Sequence, residues 1–206
     1  MQGPRRTMRL IAADLAASRG GRAVFVELSF SLSDGGLLAV TGPNGSGKST
    51  LLRVIAGLLP PEAGFIRVEP VGEGGMASVA HYLGHLDALK PSLSLRANLD
   101  HWRRLWGATA PIDAALEAVG LGNLADLPAG ILSAGQKRRA AIARLLVARR
   151  PLWLLDEPAT SLDAAAEATL ACLIGDHLAS GGMAVVAQHR PLAVPAAVTL
   201  ALGDAA

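Results

Sequence analysis

The chain lacks several features that mark common protein classes. It has 206 residues but only one cysteine, and Phe, Trp and Tyr together make up 3% of it. The lone Cys172 excludes an internal disulfide and a cysteine-based metal cluster, and its apolar neighbours predict a small core residue. No apolar run reaches the roughly 18 residues of a membrane-spanning helix. The chain is therefore expected to be soluble, or to reach a membrane only through a partner.

Lysine is scarce as well, and the basic residues, which are mostly arginine, are scattered along the chain. The formal net charge is +2, and lysine occurs only at positions 48, 90 and 137. Basic residues form no long run and do not alternate with aromatic residues, so the sequence does not support nucleic-acid binding. Residues 1–8 are polar and basic, with no apolar signal segment behind them. They are expected to form a flexible tail, and either Met1 or Met8 fits as the true start.

Apolar residues, by contrast, make up 51% of the chain, which is ample for the buried core of one domain at this length. Strand patterns at residues 9–17 and 22–32 are joined by a glycine turn. Further on, short strand patterns alternate with helical ones, except that residues 85–130 have only helical patterns. The alternation predicts an α/β protein with a parallel-sheet core, and the helical stretch predicts a lobe inserted into it.

A phosphate-binding pattern, G-x-x-x-x-G-K-[ST], lies between a predicted strand at 37–41 and a predicted helix at 48–59. Its glycines allow backbone N–H groups to wrap around phosphates. We expect Lys48 to neutralise the β- and γ-phosphates of a nucleotide, and the Ser49 hydroxyl to bind Mg²⁺. The candidate nucleotide-binding residues are Gly42, Pro43, Asn44, Gly45, Ser46, Gly47, Lys48, Ser49 and Thr50.

Two carboxylates follow an all-apolar strand pattern at residues 152–155, and ligands bind at such strand ends in open α/β sheets. We expect Asp156 to hold Mg²⁺ through water, and Glu157 to orient and deprotonate the attacking water. Alone, this pair is more typical of a solvated turn, but behind a phosphate-binding loop the catalytic interpretation is favoured. His189, after a strand pattern at 183–187, is expected to donate to the γ-phosphate rather than to be a plain surface residue.

A second anion-binding element is predicted shortly before that strand. Ser133 is a natural helix N-cap, and Gln136 completes a capping-box pattern ahead of a helical pattern at 137–149. A helix start offers free N–H groups to an anion, and Gly135 lets the backbone approach it closely. The S-x-x-Q pattern alone would favour an ordinary capped helix, and the other motifs of the chain favour the anion site. The candidate residues here are Leu132, Ser133, Ala134, Gly135 and Gln136.

Other charged and aromatic pairs receive a simpler interpretation. The pairs Arg103-Arg104 and Arg138-Arg139 are expected to lie on solvated helix faces, and contact with a membrane partner is the alternative for the first pair. Trp102 and Trp106 are four residues apart in a helical pattern, so they are expected to pack on one face.

Taken in order, these motifs resemble those of the ATP-binding cassette (ABC) family of ATPases, over about residues 8–202. The matching motifs are the Walker A motif at 42–50, the signature at 132–136, the Walker B motif at 152–157, the D-loop at 161–163 with Asp163, and the switch histidine His189. Five motifs in the right order make the resemblance highly specific.

The resemblance implies a P-loop NTPase fold. It implies a RecA-like parallel-sheet core, an N-terminal antiparallel β-subdomain and an inserted α-helical subdomain at 86–135, all within one domain spanning 1–206. It implies ATP and Mg²⁺ as cofactors, and a head-to-tail homodimer that sandwiches ATP between the Walker A motif of one copy and the signature of the other. It also implies integral membrane permease subunits as partners, at the cytoplasmic face of the bacterial inner membrane, with ATP hydrolysis coupled to transport.

Three departures from the family pattern narrow the resemblance. Arg19 stands where most relatives have an aromatic ring for adenine, His85 where the core–lobe junction normally has glutamine, and Ala134 where the signature usually has glycine. A guanidinium also stacks on a flat ring, so Arg19 is a further candidate nucleotide-binding residue. His85 is another candidate, because of its position at the core–lobe junction. With these three departures, the chain resembles the ATPases of cytochrome c maturation. Those ATPases are linked to haem export or to release of a haem-loaded chaperone.

The alternative is an ATPase that serves another exporter or importer. A non-transport ATPase of translation, DNA repair or chromosomes would need two cassettes, a long coiled coil or zinc-binding cysteines, and the sequence has none of these.

Overall fold

The structure is a computed structural model that describes residues 7–70 and 75–203. Its strands are β1 (Arg9–Arg19), β2 (Arg22–Ser33), β3 (Leu37–Thr41), β4 (Ala63–Glu69), β5 (Ala80–Leu83), β6 (Leu152–Asp156), β7 (Met183–Ala187) and β8 (Val198–Ala201). Its helices are α1 (Lys48–Ile55), α2 (Gly75–Val79), α3 (Leu95–Leu105), α4 (Ile112–Ala118), α5 (Ala134–Ala143) and α6 (Ala164–Ala179), with 3₁₀ turns at Gly122–Leu124 and Ala129–Ile131. Within the described ranges, no helix is long and apolar enough to cross a membrane.

The strands form two sheets. The first is antiparallel, in the order β2-β1-β4, and the second has five strands in the order β5-β6-β7-β3-β8. Every strand pair in the second sheet is parallel. Parallel neighbours need long crossovers, which the helices supply. The predicted α/β architecture is confirmed, with its parallel core, antiparallel β-subdomain and helical segment between β5 and β6.

The centre of the parallel sheet is buried on both faces. Every residue of β6 and β7 is buried, as expected for strands covered by layers on each side. Leu152 and Leu154 point to the side of α1 and the antiparallel sheet. Trp153 and Leu155 belong to the other core, with residues of α3, α4, α5 and α6. The two cores pack against opposite faces of the sheet and fix the positions of the carboxyl ends of its strands.

Several local predictions differ from the structure. The helix predicted at 137–149 begins directly after Ser133, at Ala134, and ends at Ala143. The prediction that Cys172 is a core residue is wrong, because its side chain is exposed. Leu170 and Ile174, one turn apart, take the buried face of α6, and position 172 lies between them on the other face.

The predicted packing of Trp102 and Trp106 is confirmed by ring centroids 5.0 Å apart. Of the predicted tail, residues 1–6 lie outside the described residues, while the Met8 N–H donates to Asp34 Oδ2 at 2.9 Å. The boundaries of the inserted lobe, 86–135, enclose α3 and α4 and stay a prediction.

Candidate functional site

Four strands of the parallel sheet bring the predicted site residues to one edge. The strands β5, β6, β7 and β3 lie consecutively in the sheet, and each adjacent pair is parallel. Their carboxyl ends therefore lie at the same edge, where ligands bind in open α/β sheets. A cavity of about 360 Å³, here called the P-loop cavity, opens at this edge. Its lining residues are Arg19, Asn44, Gly45, Gly47, Lys48, Ser49, Thr50, His85, Glu157, Thr160 and His189.

The loop between β3 and α1 wraps around its own lysine. Lys48 Nζ donates to the carbonyl oxygens of Gly42 and Pro43 at 2.8 and 2.9 Å. Position 42 requires glycine, because its φ is 138° and a Cβ there would lie 2.1 Å from the carbonyl oxygen of Leu202. The buried Ser46 hydroxyl has no hydrogen-bond partner among the described residues. A concave loop with an ammonium group at its floor and an unsatisfied hydroxyl fits a phosphate ligand.

Ser49 and Asp156 lie side by side although 107 positions separate them in the chain. Ser49 Oγ donates to Asp156 Oδ1 at 3.0 Å, and the Tyr82 hydroxyl donates to Asp156 Oδ2 at 3.4 Å. Burial raises the pKa of Tyr82, so the phenol remains a neutral donor at neutral pH. A hydroxyl and a carboxylate are the oxygen ligands that Mg²⁺ takes beside substrate phosphates, so this pair fits the predicted metal.

Glu157 and His189 are in contact in the wall of the P-loop cavity. His189 Nε2 lies 3.3 Å from Glu157 Oε1, and both side chains are partly exposed. The Glu157 backbone has φ 49°, in the left-handed region, and its N–H donates to the Ala187 carbonyl at 2.8 Å. Such a conformation costs of order 1–3 kcal/mol and persists where the surroundings enforce it, commonly at functional sites. The turn places the Glu157 carboxylate in the cavity.

The two unusual residues of the predicted nucleotide set also reach this cavity. Arg19 ends β1, and His85 follows β5 by two residues. Both line the P-loop cavity, and both are exposed. Thr160 lines it as well, and no pattern in the sequence singled that residue out.

The signature residues line a different cavity. Ser133 Oγ accepts from the Gln136 N–H at 3.2 Å, and Gln136 Oε1 accepts from the Ser133 N–H at 2.8 Å, so the predicted capping box is confirmed. Asp163 caps α6 by accepting from the Ala166 N–H at 2.8 Å. The space between these two helix starts, here called the signature cavity, measures about 230 Å³. Its lining residues are Ser133, Gly135, Gln136, Arg139, Ser161, Leu162, Asp163 and Ala166, and none of them lines the P-loop cavity.

The other two signature residues take opposite positions. Leu132 is buried beneath the helix start, and Ala134 is exposed at the first position of α5. Gly135 is packed closely, since a Cβ there would lie 2.8 Å from the Ser161 carbonyl oxygen.

The prediction that Arg138 lies on a solvated face is wrong. Its side chain is 5% exposed and contacts the turn after β6. A signal for this was available, because Arg138 precedes Ala141, Ile142 and Leu145 by three, four and seven residues and so shares their helix face. Arg139, one position on, points toward the end of α4 and donates to the Val119 carbonyl at 3.1 Å.

Comparison with known proteins agrees with this geometry. The ABC transporter family matches residues 25–160. The cytochrome c biogenesis ATP-binding export protein CcmA of Mesorhizobium japonicum is 54% identical, over 92% of this chain and 96% of that protein. A putative ABC transporter ATP-binding protein from Pyrococcus furiosus has the same fold, with a TM-score of 0.83 at 24% identity over 94% of this chain and 97% of that one.

A bacterial Atm1-family ABC exporter solved with ATP bound also matches, with a TM-score of 0.79 and 25% identity, over 95% of this chain and 37% of that one. The resemblance drawn from the motifs is thereby confirmed, together with the P-loop NTPase fold it implied. This chain belongs to the ABC transporter family.

Proposed function

We propose that this chain is the ATP-binding and ATP-hydrolysing subunit of an ABC transporter complex that serves cytochrome c-type biogenesis. The observation that carries the biological assignment is the 54% identity, over 92% of the chain, to a protein named for cytochrome c biogenesis and export. The step driven by ATP is then haem export, or release of a haem-loaded chaperone. No nucleic-acid partner is part of this proposal.

The chemistry follows from the P-loop cavity. Lys48 exchanges the carbonyl oxygens of its own loop for the β- and γ-phosphates of ATP. Ser49 would hold Mg²⁺ directly and Asp156 would hold it through water, and the ion would supply neutralisation of charge on the phosphates. Glu157 accepts a proton from water while the water oxygen bonds to the γ-phosphorus. The bond from that phosphorus to the bridging oxygen breaks, ADP and phosphate leave, and His189 donates a hydrogen bond to the γ-phosphate.

The remaining nucleotide contacts come from the rim of the cavity. Arg19 stacks its guanidinium on the adenine ring, which is worth about 0.5–2 kcal/mol in cation–π contacts. His85 contacts the nucleotide from the junction between the core and the helical segment.

A complete site needs two copies of the chain. The signature cavity shares no lining residue with the P-loop cavity of the same chain, yet its helix start, capped by Ser133, has the free N–H groups and positive dipole end that suit an anion. The anion we assign to it is the γ-phosphate held by Lys48 of a second copy. A two-fold homodimer builds both sites at once. ATP favours the closed dimer by its higher affinity for that state, and hydrolysis releases it.

We place the chain at the cytoplasmic face of the bacterial inner membrane, attached through integral permease subunits. Closing and opening of the two cassettes then moves the permease between states, so that ATP hydrolysis drives transport. This arrangement is supported by the family membership and by the exporter found among the solved structures of similar fold.

Deletion of the gene tests the biological assignment. Haem-stained c-type cytochromes in the membrane fraction should be lost in the deletion strain and restored by the wild-type gene. The Glu157→Gln variant should not restore them, whereas Glu69→Gln, which removes only an exposed ion pair with Arg67, should. Normal cytochromes in the deletion strain would overturn the assignment to cytochrome c biogenesis and leave the family membership intact.

Glu157→Gln also tests the catalytic assignment. The variant keeps the phosphate cradle but loses the base, so it should bind ATP, hydrolyse it far more slowly and accumulate as a closed dimer. Size-exclusion chromatography with light scattering should report twice the monomer mass in ATP. A variant that hydrolyses ATP at the wild-type rate and remains monomeric would remove Glu157 from its role.

A further inference from the structure

Arg138 carries a complete set of hydrogen bonds inside the protein. Its Nε donates to the Pro158 carbonyl at 3.1 Å. Its Nη2 donates to the carbonyls of Asp156 and Glu157 at 2.9 and 2.7 Å. Its Nη1 donates to the Gly84 carbonyl at 2.9 Å and to Asp87 Oδ1 at 3.2 Å. A guanidinium has five N–H donors, and five acceptors surround this one.

Three of these acceptors are consecutive carbonyls of the turn that carries the proposed catalytic base. Glu157 has a left-handed backbone, with φ 49°, which a non-glycine residue adopts only when its surroundings hold it there. Arg138 bonds the carbonyl of that residue and of its neighbours on both sides. The guanidinium thus fixes the direction of the main chain from which the Glu157 carboxylate projects.

The other two acceptors lie at the junction between the core and the helical segment. Gly84 and Asp87 flank His85, which lines the P-loop cavity. A single side chain on α5 therefore ties together three parts of the site: the helix that begins at the signature, the turn after β6 and the segment after β5. In the proposed dimer the signature contacts the ATP bound to the partner copy. Arg138 therefore connects the helix that contacts the partner's ATP with the turn that carries Glu157 at the ATP site of its own chain.

We propose that Arg138 is a positioning residue for ATP hydrolysis. It holds the turn at residues 156–158 so that the Glu157 carboxylate points at the attacking water, and it fixes the position of this turn relative to Gly84 and Asp87. Arg138 acts through Glu157, so this role rests on the proposed ATPase function. It touches neither ATP nor water itself, because it is buried behind the turn.

Substitution of Arg138 should separate turnover from binding. Arg138→Met removes every donor, and Arg138→Lys keeps the charge with three donors in a different geometry. We expect kcat of the full chain, in its assembled complex, to fall about tenfold to a hundredfold in the methionine variant, the loss that a displaced catalytic group produces. The lysine variant should lie between it and the wild type. The Kd for ATP, measured by calorimetry, should change far less than kcat, because the loop at 42–50 is untouched and only the contact from His85 is loosened.

Arg150 offers a matched control. It too donates to backbone carbonyls, those of Ala77 and Ala80, but it lies at the opposite edge of the sheet, before β6. Arg150→Met and Arg150→Lys should lower the melting temperature without lowering kcat. If the Arg138 variants lose kcat, ATP affinity and melting temperature in parallel, Arg138 is a structural residue and the positioning role is overturned.

A double-mutant cycle gives the sharpest readout. If Arg138 works only by aiming Glu157, Arg138→Met should have no further effect on kcat once Glu157→Gln is present. Additive losses would overturn the role. Should Arg138→Met not fold, Arg138→Lys supplies the same cycle with the buried charge retained. Full activity of Glu157→Gln would remove Glu157 from its role and with it the positioning role of Arg138, and absence of ATP hydrolysis in the wild-type complex would overturn the proposed function itself. An inactive Glu157→Gln beside fully active Arg138 variants would overturn only the role of Arg138.

Discussion

Substitution of Gly135, in the signature, by alanine adds one methyl group where the start of α5 contacts the turn before α6. A Cβ at this position would lie 2.8 Å from the carbonyl oxygen of Ser161, whereas ordinary van der Waals contacts of a Cβ atom lie at 3.4–4 Å. The Ser161 oxygen cannot yield cheaply, because it belongs to the main chain and not to the far end of a flexible side chain. Gly135→Ala must therefore push α5 away from the turn that leads to Asp163.

The magnitude follows from packing. Overfilling a well-packed contact typically costs about 1–3 kcal/mol, and each kcal/mol lowers the melting temperature by about 2–4 °C for a chain of this length. Gly175, in the middle of α6, is the matched control, since a Cβ there meets nothing within 4 Å. Gly175→Ala should instead stabilise the fold by about 0.5–1 kcal/mol, because alanine is the better helix residue.

Urea unfolding of both variants measures the difference in free energy, and ATP turnover of the assembled complex measures its functional effect. We expect Gly135→Ala to be the less stable variant and to lose turnover, because the displaced turn deforms the signature cavity. Equal stability and equal turnover in the two alanine variants would refute the contact between Gly135 and Ser161 as a constraint on this cavity.

Two further predictions concern Arg19 and His81. Arg19→Ala should weaken ATP binding by about 0.5–2 kcal/mol, about two- to thirtyfold in Kd, while Arg22→Ala in the same hairpin should not; calorimetry giving equal affinities would remove Arg19 from the adenine site. Burial lowers the pKa of His81 to about 4, and its Nε2 pairs with the Ala148 carbonyl at 2.7 Å. Between pH 4 and 6.5 the unfolded chain binds the proton that native His81 refuses, so stability is full above about pH 6.5 and decreases, by up to about 3 kcal/mol, as pH falls through 4. His81→Gln should flatten this part of the pH profile in urea unfolding, and an unchanged slope would contradict the assignment.

Local chemistry was enough to predict several parts of the site. The capping box depends only on a serine and a glutamine three residues apart, and Ser133 and Gln136 form it as expected. The phosphate-binding loop likewise depends on glycines and a lysine within nine consecutive residues. The strand at 152–155 was readable because both of its faces are buried, which leaves an uninterrupted apolar run.

Residues that meet from distant parts of the chain were harder to predict. Asp156 was predicted to hold Mg²⁺ from the sequence alone. The hydrogen bond that it accepts from Tyr82 was not predicted, because it depends on the pairing of β5 with β6, which no local pattern specifies. Arg138 was misassigned for a related reason. An arginine in a helix is usually solvated, and only the packing of α5 against the turn after β6 supplies the carbonyl oxygens that make its burial favourable.

The sequence by itself determined that this chain has a phosphate loop, a signature and paired carboxylates in the order of an ABC ATPase, because those elements are made by short segments and their backbone geometry. Only the tertiary structure decided that the signature lines a cavity separate from the loop of the same chain. It alone decided that Lys48, Ser49, Glu157 and His189 share one edge, because that edge exists only once β3, β6 and β7 pair in parallel.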